Sequence, residues 1–196
     1  MPTGVAIRDV REQLFDAAER VLLRDGPSAL TSRAVTDEAG VAKGVLHRHF
    51  DDFDAFLAEF ILDRVNRMDA QAAALRDAVG AGSVVDNIAD ALTAVFGSVA
   101  VAIVPLVTFR LQLRVRLRRQ WPAGIPVLTD AAIMIGEYLT AERDLGRVAA
   151  HAEPQGLAPM LIGTGHLLFA DRTSPRPDPA TVRKMVADVL AGVVTG

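Results

Sequence analysis

The sequence contains no cysteine. Disulfides, thiolate metal sites and cysteine nucleophiles are excluded together. Histidine is scarce: His47, His49, His151 and His166 are the only four. The first two stand two residues apart and would point to different sides of a helix, which makes a poor metal pair. Neither His151 nor His166 has a nucleophile, acid pair or metal partner near it in sequence. No catalytic residue, cofactor or metal is therefore assigned, and an enzyme is not expected. Asn-Gly hairpins, alternating strand patterns and internal repeats are all missing, so a sheet has no signal. The start, MPTGVAIRDV, carries no basic segment followed by an apolar run. A secretory signal is not read, and a reducing cytoplasm is the expected location. Residues 91–109 lack charge and nearly reach bilayer length, but Thr93, Gly97, Ser98, Pro105 and Thr108 interrupt them. Two buried helices with a break near Gly97–Ser98 are expected, and no membrane.

What is present is a helical inventory. Hydrophobic residues make up 51% of 196, aromatics only 5%, and the net charge is -3. That suits helices packed on small side chains. Val10, Leu14, Ala17, Ala18, Val21 and Leu22 recur at helical spacing, and Gly26–Pro27 stops them. Thr31 or Ser32 can cap a short helix to about Ala39. A third helix covers roughly 42–49. A long one then starts at Asp51–Asp52, with a stripe from Phe53 through Leu75, and ends at the GAGS of 80–83. Ser83 with Asp86 starts the next helix. Further helices are expected over about 104–119, from Pro126 to about Arg143, from Pro154 to Ala170, and after the Asp178–Pro179 start signal.

The segment AGVAKGVLHRHF, residues 39–50, concentrates basic side chains on a turn within an acidic chain. Two short helices joined through Ala39–Gly40–Val41 make a helix-turn-helix. Ala39 is small where the helices cross, and Gly40 supplies a positive φ. Val41, Leu46 and Phe50 face inward. Lys43, Gly44, Val45, His47, Arg48 and His49 are left outside. Arg48 can reach N7 and O6 of a guanine, while Lys43, His47 and His49 can donate to phosphates or bases. The competing reading is an ordinary helix corner.

With its surroundings the segment resembles the TetR family of bacterial transcriptional regulators. The residues that carry the resemblance are Leu30, Thr31, Val35, Thr36, Ala39, Gly40, Val41, Leu46, His49 and Phe50, and it covers about residues 8–60. It implies an all-α fold of about nine helices. A three-helix DNA-binding domain would occupy 1–51 and a ligand-binding and dimerisation domain 52–196. The function implied is a ligand-responsive DNA-binding regulator, a repressor released from double-stranded operator DNA by a small molecule. The DNA-contacting set is Thr31, Arg33, Lys43, Gly44, Val45, His47, Arg48 and His49. Four positions depart from the family habit: Ala42 where serine is usual, Val45 for threonine or serine, His47 for tyrosine, and Phe53 for lysine. From Gly26 to Phe60, three basic side chains face six acidic ones. From that balance DNA binding is expected to be weaker or more ligand-tunable than typical, or to rely on groove contacts more than on backbone charge. The alternative is an all-helical ligand-binding or interaction protein with weakened DNA binding.

In the remainder, the helix at 154–170 is apolar nearly all round. Leu157, Met160, Leu161 and Leu168, with Val182, Met185, Val186, Val189 and Leu190 of the last helix, are candidates for a homodimer interface rather than for core alone. Two-fold symmetry would set two recognition helices about 34–36 Å apart. Candidate ligand contacts are Met68, Phe96, Phe109, Gln112, Leu113, Trp121, Met134, Tyr138 and His166. The apolar inventory suggests a lipophilic inducer. Arg110, Arg114 and Arg118 share a helix face. They could bind an anion or a second stretch of DNA, but a stripe paired with amino-terminal acids is the preferred reading.

Overall fold

The computed structural model describes residues 3–122, 124–170 and 175–194, with side chains from residue 10 onward. Among the described residues it is all-helical. The order is α1 (Thr3–Asp25), a 3-10 turn (Pro27–Ala29), α2 (Ser32–Glu38), α3 (Gly44–His49), α4 (Phe53–Asn66) and α5 (Met68–Asp77). Then come α6 (Val84–Phe96), α7 (Ala100–Phe109), α8 (Leu111–Leu117), α9 (Leu128–Asp144), α10 (Pro154–Ala170) and α11 (Pro179–Val189). The one extended pairing among these residues is an isolated antiparallel bridge, Val148 with Val194.

Local chemistry explains where the helices begin and end. Gly26 takes φ 84° after α1, and Pro27 follows it. Thr31 Oγ1 accepts the Ala34 N–H at 3.1 Å and starts α2. Ser83 Oγ accepts the Asp86 N–H at 3.3 Å ahead of α6. Asp178 accepts the Thr181 N–H at 2.9 Å, with Pro179 opening α11. At α9 the sequence expectation shifts by two residues: Pro126 precedes the helix, and Val127 is the cap at φ 71°. A β-branched residue there costs on the order of 1–3 kcal/mol. The Asp130 carboxylate accepts the Val127 N–H at 3.3 Å and holds it.

Two helices read as continuous in the sequence are each divided. The long helix after Asp52 loses its ladder at Arg67, whose ψ of -16° separates α4 from α5. The helix expected over 104–119 begins earlier, as α7 at Ala100, and is cut by an extended Arg110 (φ -107°, ψ 97°) before α8. Arg114 then caps the freed end of α7, donating to the carbonyls of Val107 at 3.3 Å and Thr108 at 2.7 Å. No single described helix is long and apolar enough to cross a membrane. Residues 84–109 reach that composition only as two helices separated at 97–99.

The chain divides into two compact units, 1–64 with 102–123 and 65–101 with 124–196. The first has an aromatic core. Phe15 lies 5.9 Å from Phe50 and 5.6 Å from Phe56, and Phe50 meets Phe56 edge-on at 5.0 Å. Each such pair adds about 0.5–1.5 kcal/mol beyond burial. The second is built on aliphatic helix faces, α10 against α9 and α11 against α6. Gly165 lets α10 approach Phe96, since a Cβ there would sit 2.6 Å from the ring.

Candidate nucleic-acid interface and ligand cleft

The α2–turn–α3 segment is fixed from several sides. Ala39 is buried, and Gly40 turns the chain at φ 67°. The Val41 N–H reaches back to the Thr36 carbonyl at 3.0 Å. From α1, Gln13 Nε2 donates to the Ala39 carbonyl at 2.7 Å. Arg20 and Arg24 pair with Glu38 at 2.8 and 2.9 Å. Hydrogen bonds from Arg20 and then Arg24 hold the Glu38 carboxyl below its ordinary value of 4.5. At the other end of α3, Arg11 pairs with Glu59, donates to the His49 carbonyl at 3.3 Å and lies 4.4 Å over the Phe50 ring. Leu46 and Phe50 are the buried anchors of α3.

What this frame presents is basic. Thr31, Arg33, Lys43, Gly44, His47 and Arg48 are exposed, while Val45 and His49 are half-buried. Arg33 makes an exposed ion pair with Asp37 at 3.5 Å. Nothing lies within 4 Å of where a Gly44 Cβ would stand, so packing does not require glycine there. α3 begins after Lys43 with no side-chain cap.

The acidic residues flanking this segment are largely engaged. Asp52 caps α4 through the Ala55 N–H at 2.7 Å and pairs with Arg116 of α8. Asp54 pairs with Arg110 at 2.8 Å, and that guanidinium lies 5.3 Å over Phe53. Arg118 donates to the Pro122 carbonyl at 2.8 Å. Arg110 and Arg116 thus meet acids of the first unit, Arg114 the end of α7, and Arg118 the chain beyond α8. Sequence reading missed Arg64, a buried guanidinium held by Asp63 at 2.6 Å, Glu19 at 2.7 Å and Asp16 at 3.1 Å.

The nine ligand candidates are divided between the two units. Phe109, Gln112, Leu113 and Trp121 belong to the first unit; the other five belong to the second. Phe109 and Gln112 are exposed, Trp121 is half-buried, and Leu113 is buried. In the second unit two pairs come together. Phe96 packs 6.2 Å from His166. Met68 and Met134 line a cleft of about 150 Å³ with Asp69, Asp130, Ile133 and Glu137. Tyr138 is buried apart from the cleft and accepts a hydrogen bond from Asn87 at 2.9 Å. Burial raises its phenol beyond the ordinary range. Beside it, Glu142 is fully buried, accepts the Gly80 N–H at 3.2 Å and pairs with Arg147 at 3.4 Å. The cleft carboxylates and this network were not singled out in the sequence. The spacing of Asp130, Ile133, Met134 and Glu137 on one helix face was the available signal for the first.

Among the dimer candidates, Leu161, Val182, Val186 and Leu190 are buried. Leu157, Leu168, Met185 and Val189 are half-buried, and Met160 is exposed.

Against known proteins, residues 14–60 match the model described as bacterial regulatory proteins, tetR family. Among curated proteins, none matches the sequence. Solved structures with the same fold include reduced NemR of E. coli, 16% identical, covering 95% of this chain and 97% of that one at a TM-score of 0.73. A TetR transcription regulator from Haloarcula marismortui is 15% identical, with 96% and 100% covered and a TM-score of 0.71. FadR of Bacillus subtilis in complex with stearoyl-CoA is 16% identical, with 93% and 98% covered and a TM-score of 0.66.

Proposed function

We propose, from the premise that residues 14–60 are a tetR-family domain, that this chain is a ligand-responsive DNA-binding transcriptional regulator. It acts as a homodimeric repressor released from its operator by a small molecule. The observation that carries the reading is the exposed row Lys43, His47 and Arg48, none of which has an ion pair or hydrogen-bond partner among the described residues. They stand on a helix clamped from α1 by Gln13 and Arg11. A clamped helix with free hydrogen-bond donors suits the major groove. Thr31, Arg33, Gly44, Val45 and His49 complete the contact set, and residues 1–51 do this work.

Residues 52–196 bind the ligand and the second copy. Exposed Met160 and half-buried Leu157, Leu168, Met185 and Val189 form the face between copies, while Leu161, Val182, Val186 and Leu190 support it from within. The stearoyl-CoA complex of B. subtilis FadR supports a lipophilic ligand in this fold. Ligand and operator act on one conformational equilibrium, so each weakens the other by the same factor. No catalysis is assigned, and the protein works in the cytoplasm.

The alternative, a helical ligand-binding protein with weakened DNA affinity, draws on the uncapped start of α3 and the acidic balance around it. The pairing of Asp52 with Arg116 of α8 and of Asp54 with Arg110 reduces that repulsion and favours the regulator. A mobility-shift experiment on the DNA flanking its own gene separates the two. A retarded band at low salt supports the regulator; its absence for a folded dimer supports the alternative.

A further inference from the structure

The cleft of about 150 Å³ lies within the second unit, where α5 and the end of α4 face α9. Its composition is unequal. Met68 and Met134, both nearly buried, form the floor, and Ile133 is a wall left 54% exposed. All the charge at its edge is negative. Asp130 and Glu137 lie seven residues apart on α9, roughly 10 Å along the axis at 1.5 Å per residue. Asp69 stands on α5, and no lysine, arginine or histidine lines the space. Asp130 is engaged in capping α9. Asp69 and Glu137 have neither an ion pair nor a hydrogen bond among the described residues. The surrounding unit carries eight Lys and Arg against twelve Asp and Glu, so the background field has the same sign.

We infer that this cleft binds a small amphiphilic organic cation, an aryl- or alkylammonium compound. The inference rests on reading this unit as the ligand-binding part of a regulator, and it names the ligand's class. The apolar body lies on the two thioethers, which adapt to flat or irregular shapes and make favourable contacts with aromatic rings. The ammonium faces Asp69 and Glu137. A carboxylate or a phosphate group, such as those of a coenzyme A thioester, would meet three carboxylates with no compensating donor, so the anionic part of the FadR ligand does not suit this cleft. A neutral lipophile would gain the floor but leave the carboxylates unanswered. The cleft is smaller than the ~300–1,000 Å³ usual for drug-sized molecules, so the ligand is small or only its head is enclosed.

The test is calorimetric titration of the full-length protein with three probes of similar size: benzyltrimethylammonium, neutral N,N-dimethylbenzamide and anionic phenylacetate. The cation is expected to bind at least tenfold more tightly than the amide, and phenylacetate not to bind. Glu137→Gln and Asp69→Asn should each weaken the cation by up to about fivefold, the upper range for exposed charge pairs, and added salt should weaken it further. Both side chains are at the surface, so the variants should keep the wild-type melting curve. Ile133→Lys is the second variant; it places a cation in the cleft and should abolish binding. Equal affinity for amide and ammonium, indifference to all three substitutions, or no saturable binding of the ammonium would each overturn the inference. Titration is done without DNA, so a missing operator complex leaves this result standing, and a missing cation leaves operator binding standing.

Discussion

The Arg11 guanidinium lies 4.4 Å over the ring of Phe50 while pairing with Glu59 and donating to the His49 carbonyl. One side chain of α1 thereby holds the end of α3, the start of the following segment and a face of α4. Phe50 is itself a buried member of the aromatic core. The position of the exposed helix is in this way coupled to the stability of the unit.

Arg11→Ala removes a cation–π contact, a partly exposed ion pair and a hydrogen bond. Their sum is about 1–3 kcal/mol. Thermal melting should fall by several degrees. Arg11→Lys should restore part of the charge effect but not the flat stacking. Unchanged melting in the alanine variant would mean that the Phe cluster alone fixes α3.

Gly40 and Gly44 should respond oppositely to alanine. Gly40 sits at φ 67° with nothing within 4 Å of an added Cβ, so the whole penalty is backbone, about 1–2 kcal/mol. Gly44 also faces open space, and its φ is not in the left-handed region. Alanine there should leave stability unchanged or raise it by up to ~1 kcal/mol. If phosphate approaches that backbone, DNA affinity falls in Gly44→Ala without loss of fold. Chemical denaturation beside a binding titration reads both.

The salt dependence of DNA binding separates contact types. Lys43→Ala should reduce the slope of log affinity against log salt by about 1 if Lys43 neutralises a phosphate. Arg48→Ala should cost about 1–3 kcal/mol and relax preference for guanine at one position. Fluorescence anisotropy at several salt concentrations, on operator and scrambled duplexes, checks both. Identical effects on the two duplexes would remove Arg48 from base contact.

The parts legible in the sequence were those set by neighbours along the chain. The Thr31 cap, the Gly40 turn and the Asp178–Pro179 start each need only a few adjacent residues, and each is found where expected. The preference for pairing the arginine stripe with amino-terminal acids also rested on a general tendency of exposed arginine. What stayed hidden depends on distant partners or runs against local preference. Arg64 occupies an apolar stripe beside Asp63, and only folding brings Asp16 and Glu19 to it. Val127 at φ 71° contradicts every local preference of valine and is held by Asp130. The cleft needs α5 and α9 side by side, a juxtaposition that periodicity within either helix does not contain.

Glu38 gives the first unit a pH dependence with a definite sign. Its folded value is depressed by the Arg20 and Arg24 hydrogen bonds. A depressed carboxyl contributes stability above its unfolded value, near 4.5, and loses that contribution as pH falls through the folded value. Glu38→Gln should therefore lower stability at neutral pH and show a flatter decline below about pH 4.5. Denaturant midpoints from pH 7 to 3 compare the two proteins. Parallel acid limbs would exclude Glu38 as a contributor.

Gly165 is where α10 has no room for a side chain. An added Cβ would lie 2.6 Å from Phe96, a ring already stacked on Phe169 at 5.6 Å and edge-on to His166. The ring is buried and cannot swing aside freely. Gly165→Ala gains up to ~1 kcal/mol of helix propensity but incurs about 1–3 kcal/mol of overpacking, so a net loss is expected. Phe96→Leu alone also destabilises, by leaving space beside Phe169. Combined, the larger residue at 165 and the smaller one at 96 should offset each other, giving a double variant more stable than the sum of the singles by about 1 kcal/mol or more. Additive losses in a double-mutant cycle would mean that α10 moves away from α6 as a body rather than meeting the ring.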